Sequence, residues 1–335
     1  MKWERVFKMK TRILGKDLEV SAVGLGCMGL SHAYGEATDK EKAIELIKKA
    51  VEIGYTFFDT AECYIGQNHD GSISYNEEIV GEALCPYRGK VKIATKFGVR
   101  HEGAEIITDS RPETIRASIE GSLKRLKVDC IDLYYQHRID PKVSPEEVAN
   151  VMAELIKEGK ISHWGISEAN EEYLRRAHKI CPVTAVQNRY SMMYRDYEKL
   201  FSVLEKLNVG FVAFSPLANG LLTAKYDEKS SFPDGDYRNN MPQFQRNAFV
   251  ENQKLMELLE KTAIRHQATP AQISLAWMID KKPYIVPIPG TRKTERLIEN
   301  AEASELILTQ EEVRKLDDAL ENMRMSEVFG GHKVR

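Results

Sequence analysis

The stretch Thr56-Phe57-Phe58-Asp59-Thr60-Ala61-Glu62-Cys63-Tyr64 reads as a buried strand that runs straight into a polar loop. It places a carboxylate at the end of the strand and a phenol five residues later. In a barrel of parallel strands that end is the reactive face. The sequence on either side of it shows how many such strands the chain supplies.

Upstream, residues 38–54 form a helix signature. Thr38-x-x-Glu41 predicts a capping box, apolar residues follow at positions 43, 44, 47, 50 and 51, and Gly54 marks the stop. Before it, Arg12 to Val20 predicts a hairpin turning at Gly15-Lys16-Asp17. The segment Val23-Gly24-Leu25-Gly26-Cys27-Met28-Gly29 fits G-x-G-x-x-G. A dinucleotide fingerprint opens directly into a helix, whereas here Ser31 to Ala37 intervene, so the glycines read as a strand end close to a ligand.

Downstream the alternation is strict. The spacing predicts helix 76–85, strand 91–97, helix 111–126 behind Ser110-x-x-Glu113, strand 131–137, and helix 145–158 capped by Ser144 with Pro145 first. Strand 161–167, helix 171–179, strand 184–190, helix 197–207 and strand 210–215 follow. A helical region over 251–281, broken at Thr269-Pro270, then leads to strand 284–289 and a helix from 294. Counting Val23-Gly26 as the first strand gives eight strand-helix units, which predicts a single-domain (β/α)8 TIM barrel over a doubly wound sheet. Two segments lie outside the cycle: residues 217–247, a connection long enough for a lid or cofactor clamp, and an amphipathic helix from Thr309 to Leu320 followed by a tail over 321–335. Residues 1–10 read as an extension, with Met9 as a second candidate start.

With 335 residues, 42% apolar and 29% charged, the chain can bury a large core. A formal charge of −2 with interspersed signs offers no basic block for nucleic acid. No apolar run approaches the ~20 residues of a membrane span. Cys27, Cys63, Cys85, Cys130 and Cys181 are odd in number and never spaced C-x-x-C, which fits a reducing, cytoplasmic compartment and no zinc framework. A monomer and a homo-oligomer fit the sequence equally.

Three neighbouring strand ends carry titratable groups: Asp59 with Tyr64 beyond it, Lys96 after Ala94-Thr95, and His137 after Leu133-Tyr134-Tyr135-Gln136. Singly, a lysine there is a solvated charge, a histidine a structural one, and an aspartate a turn cap. Together they form a set that would perturb one another. A tyrosine of pKa ~10 is about three units too weak an acid for neutral pH, roughly 4 kcal/mol. An ammonium a few ångströms away supplies about that much at an effective dielectric near 20.

Phe-Asp-Thr-Ala-x-x-Tyr, Ala-Thr-Lys and Leu-Tyr-Tyr-Gln-His, in this order, resemble the aldo-keto reductases, and the resemblance runs from Leu14-Gly15 to Glu299-Asn300. It implies a barrel that binds an extended nicotinamide dinucleotide without a Rossmann domain, and a catalytic tetrad of Asp59, Tyr64, Lys96 and His137. Met28 then falls among the cofactor-binding residues, and Ser167 and Gln187 at the nicotinamide carboxamide, with Glu168 where many members have Asn. Phe214 resembles the aromatic that stacks on the ring, and Ser215, Leu217 and Gly220 the segment under the pyrophosphate. Gly290, Thr291, Arg292, Arg296, Glu299 and Asn300 resemble the adenosine end. Two arginines at a helix N-terminus suit a 2′-phosphate, so NADP(H) is expected over NAD.

The expected activity is reduction of an aldehyde or ketone with Tyr64 as proton donor and no metal. Two alternatives are a Schiff-base aldolase using Lys96 and a cofactor-binding sensor subunit on the same scaffold. Tyr34, Arg138, Trp164 and Arg238 are candidate lining groups for the substrate pocket, together with the loops after Gly98 and around residues 65–68.

Overall fold

The computed structural model describes residues 9–102 and 105–329. Met1 through Lys8 of the expected extension, and Gly330-Gly331 of the tail, lie outside the described residues. Met9, counted in that extension, is instead packed into the main core, and the Lys10 carbonyl accepts from the Ala22 N–H at 2.7 Å.

Eight strands form one parallel sheet in chain order: Leu25–Gly26, Phe57–Asp59, Lys92–Phe97, Ile131–Gln136, Ile161–Ser167, Ala185–Arg189, Gly210–Phe214 and Ile285–Pro287. The sheet closes where the Gly24 N–H donates to the Pro287 carbonyl at 2.9 Å and the Gly26 N–H to the Pro289 carbonyl at 3.3 Å. Gly26 is required there, because a Cβ would stand 2.7 Å from the Ile288 carbonyl oxygen. The (β/α)8 barrel is therefore present, and the glycine motif ends in a three-residue 3-10 turn, Met28–Leu30, rather than opening a helix.

Strand parity sorts the core into two layers. Phe57, Ala94, Leu133, Tyr135, Ala185, Val212, Val286 and Ile288 fill the barrel interior, with Leu14, Leu18 and Val20 plugging its lower end. Those three come from the N-terminal hairpin Thr11–Leu14 and Leu18–Ser21, which turns where expected. The alternate residues, such as Phe58, Ile93, Tyr134, Trp164 and Val186, pack outward against the helices.

Most helices follow the expected spacing, but two caps do not. The helix Lys40–Ile53 begins one residue later than the Thr38 box required: Asp39 is its cap, accepting from the Lys42 N–H, and Thr38 Oγ1 is left unpaired. Ser110 does not cap Pro112–Leu126. It is buried, its N–H donating to Asp140 Oδ2 and its Oγ accepting from Gln136. The Ser144 box of Pro145–Lys157 forms as expected.

The loops after the second and third strands are hairpins, Ile65–Gln67 with Ile73–Tyr75 and Val99–Glu102 with Glu105–Thr108, where the sequence showed only loops. Residues 217–247 hold three 3-10 turns and no strand. The helix Gln310–Glu321 packs on Pro270–Lys281, and the residues after it run back to the upper face, where the Phe329 N–H donates to Gln243. Among the described residues, no helix is long and apolar enough to cross a membrane.

Candidate active site

The same parity that fills the barrel interior sets the reactive face. On five strands an interior position is followed two residues later by a polar one at the upper rim: Phe57 by Asp59, Ala94 by Lys96, Tyr135 by His137, Gly165 by Ser167 and Ala185 by Gln187. Tyr64 reaches the same face from the loop. Its carbonyl accepts from the Asn76 N–H at 3.1 Å and from Ser31 Oγ at 3.2 Å, which pins the phenol over the barrel.

Lys96 is fully buried, and its Nζ donates to Asp59 Oδ1 at 2.6 Å, to the Thr60 carbonyl at 2.7 Å and to Tyr64 Oη at 3.3 Å. Gln187 Nε2 donates to the other Asp59 oxygen at 2.7 Å. Burial alone would lower the Lys96 pKa, but Asp59 and Tyr64 outweigh it and raise it above the ordinary lysine value. The Asp59 carboxyl moves up because burial outweighs the attraction of Lys96 and the Gln187 bond.

Burial also decides Tyr64. The expected relief from Lys96 is present but smaller than the desolvation, so the phenol is pushed up to about 12 and stays protonated. His137 moves the other way: burial first, then Arg138, Lys96, His101 and His32, hold it well below the usual imidazole value and so neutral. Its ring meets Tyr64 edge-on, 5.7 Å between centroids.

A single cavity of about 540 Å³ runs from Tyr64 and His137 across the barrel mouth to Arg292 and Arg296. Met28, Ser167, Gln187, Phe214, Ser215, Leu217, Gly220, Gly290, Thr291, Arg292, Arg296, Glu299 and Asn300 all line it. Ser215, Ala218, Asn219 and Gly220 have positive φ, and the Ala218 and Gly220 N–H groups donate to the Ser215 and Leu217 carbonyls at 3.0 and 2.9 Å, which fixes this segment beside the trough. Arg292 Nε donates to the Gly29 carbonyl at 2.6 Å, holding that guanidinium at the trough's far end.

Residues 217–247 do close over this trough. Tyr34 and Asp236 form an antiparallel bridge, the Tyr237 N–H donates to the Ala33 carbonyl at 2.9 Å, and Asn219 Nδ2 donates to Tyr34 Oη at 3.0 Å. Arg238 is fixed by Asp236 and stacks over Phe232, 4.2 Å from its centroid.

Tyr34, Arg138 and Arg238 line the cavity as expected. Trp164 does not: its parity turns it outward, where it is fully buried with Nε1 donating to the Cys181 carbonyl at 3.3 Å. Arg189 was missed. It continues the inward series 185, 187, 189, lines the cavity, and lies over the Tyr194 ring at 4.7 Å and Phe214 at 5.8 Å. Glu168, with φ of 52°, sits between it and Arg138 at 3.6 and 3.5 Å. His32, His101 and Tyr237 were also missed: His32 stacks on Tyr64 with 6.1 Å between centroids and itself meets His101 at 5.3 Å and Tyr237 at 5.6 Å, and only tertiary folding brings their loops together.

A barrel whose strand ends assemble a buried Asp–Lys pair, a phenol and a neutral imidazole beside a long trough defines a class, and the comparisons with known proteins agree. The profile of the Aldo/keto reductase family matches residues 22–321. The chain belongs to the aldo-keto reductases and is an oxidoreductase of that nicotinamide-dependent family. It is 40% identical over 319 residues to a Glycine max protein named Probable aldo-keto reductase 1, covering 94% of this chain and 89% of the relative. The glycerol dehydrogenase of Gluconobacter oxydans superposes with a TM-score of 0.83 at 30% identity, over 97% of this chain and 99% of that one. An aldo/keto reductase of Klebsiella pneumoniae, solved with NADP and acetate, shares the fold with a TM-score of 0.71 at 23% identity, over 96% of this chain and 100% of that one.

Proposed function

We propose that this enzyme reduces aldehydes or ketones to alcohols with NADPH, Tyr64 giving the proton. The observation that carries the reading is the contact of Lys96 Nζ with Asp59 at 2.6 Å and Tyr64 Oη at 3.3 Å at the end of one continuous trough. The donor set fits the cofactor. The segment from Ser215 to Gly220 would pass under a pyrophosphate, Phe214 would stack on the nicotinamide, and Ser167 and Gln187 would meet its carboxamide. Gln187 gives its N–H to Asp59, which leaves Oε1 as the acceptor for an amide N–H. Arg292 and Arg296 favour a 2′-phosphate, hence NADPH over NADH.

Bound NADPH supplies the hydride received by the carbonyl carbon. As the C=O π pair moves onto oxygen, Tyr64 Oη transfers its proton there and His137 donates a hydrogen bond to the same oxygen. Lys96 stabilises the phenolate left on Tyr64, and Asp59 keeps Lys96 charged and in place. Because Lys96 is fully buried and its pKa is raised, it lacks the free lone pair that a Schiff-base aldolase needs. The cysteines are unbonded thiols, which supports a cytoplasmic location.

Replacing Tyr64 with Phe tests the reading. Fluorescence titration should show NADPH binding kept, while carbonyl reduction falls by about 10²–10⁴-fold. Full turnover in that variant would remove Tyr64 as the acid.

A further inference from the structure

Cys63, the residue before Tyr64, touches the site but has no part in the chemistry above. It is 7% exposed, and its Sγ lies 3.4 Å from His137 Nδ1. The two adjacent residues therefore flank one imidazole, the Tyr64 ring edge-on to it and the thiol on Nδ1. A tight turn fixes them, with the Tyr64 N–H donating to the Ala61 carbonyl at 3.1 Å and the Ile65 N–H to the Cys63 carbonyl at 2.9 Å. The His137 backbone is held in turn, its N–H donating to the Phe97 carbonyl at 3.0 Å.

We propose that Cys63 is a positioning residue: its S–H donates to His137 Nδ1 and so keeps the ring proton on Nε2, facing the carbonyl oxygen. This rests on the carbonyl-reducing reading above. A neutral imidazole has one N–H and one lone pair, and what binds one nitrogen sets the role of the other. His137 is neutral, and burial pushes the Cys63 thiol up to about 12, so a thiolate–imidazolium pair does not form. That leaves two arrangements of the contact. With the proton on Nδ1, the ring would donate to sulfur, a weak acceptor, and Nε2 would turn a lone pair toward the carbonyl oxygen's own lone pairs. With the S–H donating, Nε2–H joins Tyr64 Oη–H as a second donor to that oxygen. The second arrangement satisfies every group and supports the reaction.

The test uses the full-length protein with NADP⁺ bound and ¹⁵N-labelled histidine, His137 being assigned by its loss in His137→Asn. Wild type and Cys63→Ser should both show Nε2 protonated and Nδ1 as acceptor. Cys63→Ala should show a mixture of tautomers, NADPH affinity unchanged and kcat about tenfold lower, while Cys63→Ser recovers most of the rate. An unchanged tautomer or an unchanged kcat in Cys63→Ala overturns the proposal, as does a wild-type ring protonated on Nδ1. Should Cys63→Ala lose NADPH binding, the ring shifts of wild type and Cys63→Ser decide it. The tautomer is read without substrate, so its failure is separable from failure of the carbonyl reading, which shows instead as activity kept in Tyr64→Phe.

Discussion

At Tyr64 the balance between burial and a neighbouring cation falls on the side of burial, and this gives the reaction a direction. A phenol with a pKa of about 12 is fully protonated at neutral pH, ready to give a proton in reduction. We expect the reduction rate to show no loss from Tyr64 ionisation up to roughly pH 10, and alcohol oxidation to climb with pH over the same range. A pH–rate profile of kcat in both directions checks this. Lys96 is the opposite case, a charge stable in the interior only because Asp59 is 2.6 Å away. Replacing Asp59 with Ala strands that ammonium, so a stability loss of about 3–5 kcal/mol is expected in urea unfolding. Asp59, Tyr64, Lys96 and His137 were legible as residues because each follows its strand by a recognisable motif. The sign of the Tyr64 shift was not, because it depends on how much protein surrounds the ring.

Among the barrel strands, the fifth carries a tight constraint. A Cβ on Gly165 would stand 2.4 Å from both the Ala185 carbonyl oxygen and Tyr135 Cε1, in the middle of the barrel interior. Gly165→Ala should cost about 1–3 kcal/mol, seen as a lower urea midpoint with an unchanged slope. The caps show where local sequence signals fail. Ser144 caps its helix because nothing else claims it, whereas Ser110 is taken into a buried network with Asp140 and Gln136. Trp164 was misplaced for a similar reason: an aromatic near the strand's end suggested a pocket wall, and its parity, opposite to that of Gly165 and Ser167, sends it among the helices.

Across the whole molecule, the strap joining residues 33–34 to 236–237 encloses the trough, so the proposed cofactor has to leave past it. Tyr34→Phe removes the Asn219 bond, worth about 1 kcal/mol, and stopped-flow fluorescence should record NADPH dissociating about fivefold faster. Stability should also depend on pH through His137. Its folded pKa lies well below the unfolded 6.5, so the unfolded chain takes up the proton first as pH falls. The contribution is therefore full above pH 6.5 and declines below it by up to about 1.4 kcal/mol per pH unit, and His137→Asn should flatten that slope in denaturation curves between roughly pH 7 and 5.

The sequence by itself determined the barrel, because eight apolar strands alternating with helices leave few ways to bury both faces, and it marked most of the rim through period-two spacing from Phe57, Ala94, Tyr135 and Ala185. Tertiary structure alone decided which loops meet. The pairing of Tyr34 with Asp236, the stacking of His32 on Tyr64 and its contacts with His101 and Tyr237, and the contact of Cys63 with His137 all join residues far apart in sequence. Loops obey no period. Their positions follow from the closure of the sheet at Gly24 and Gly26, which brings the first and last strands together and sets every loop around a single mouth.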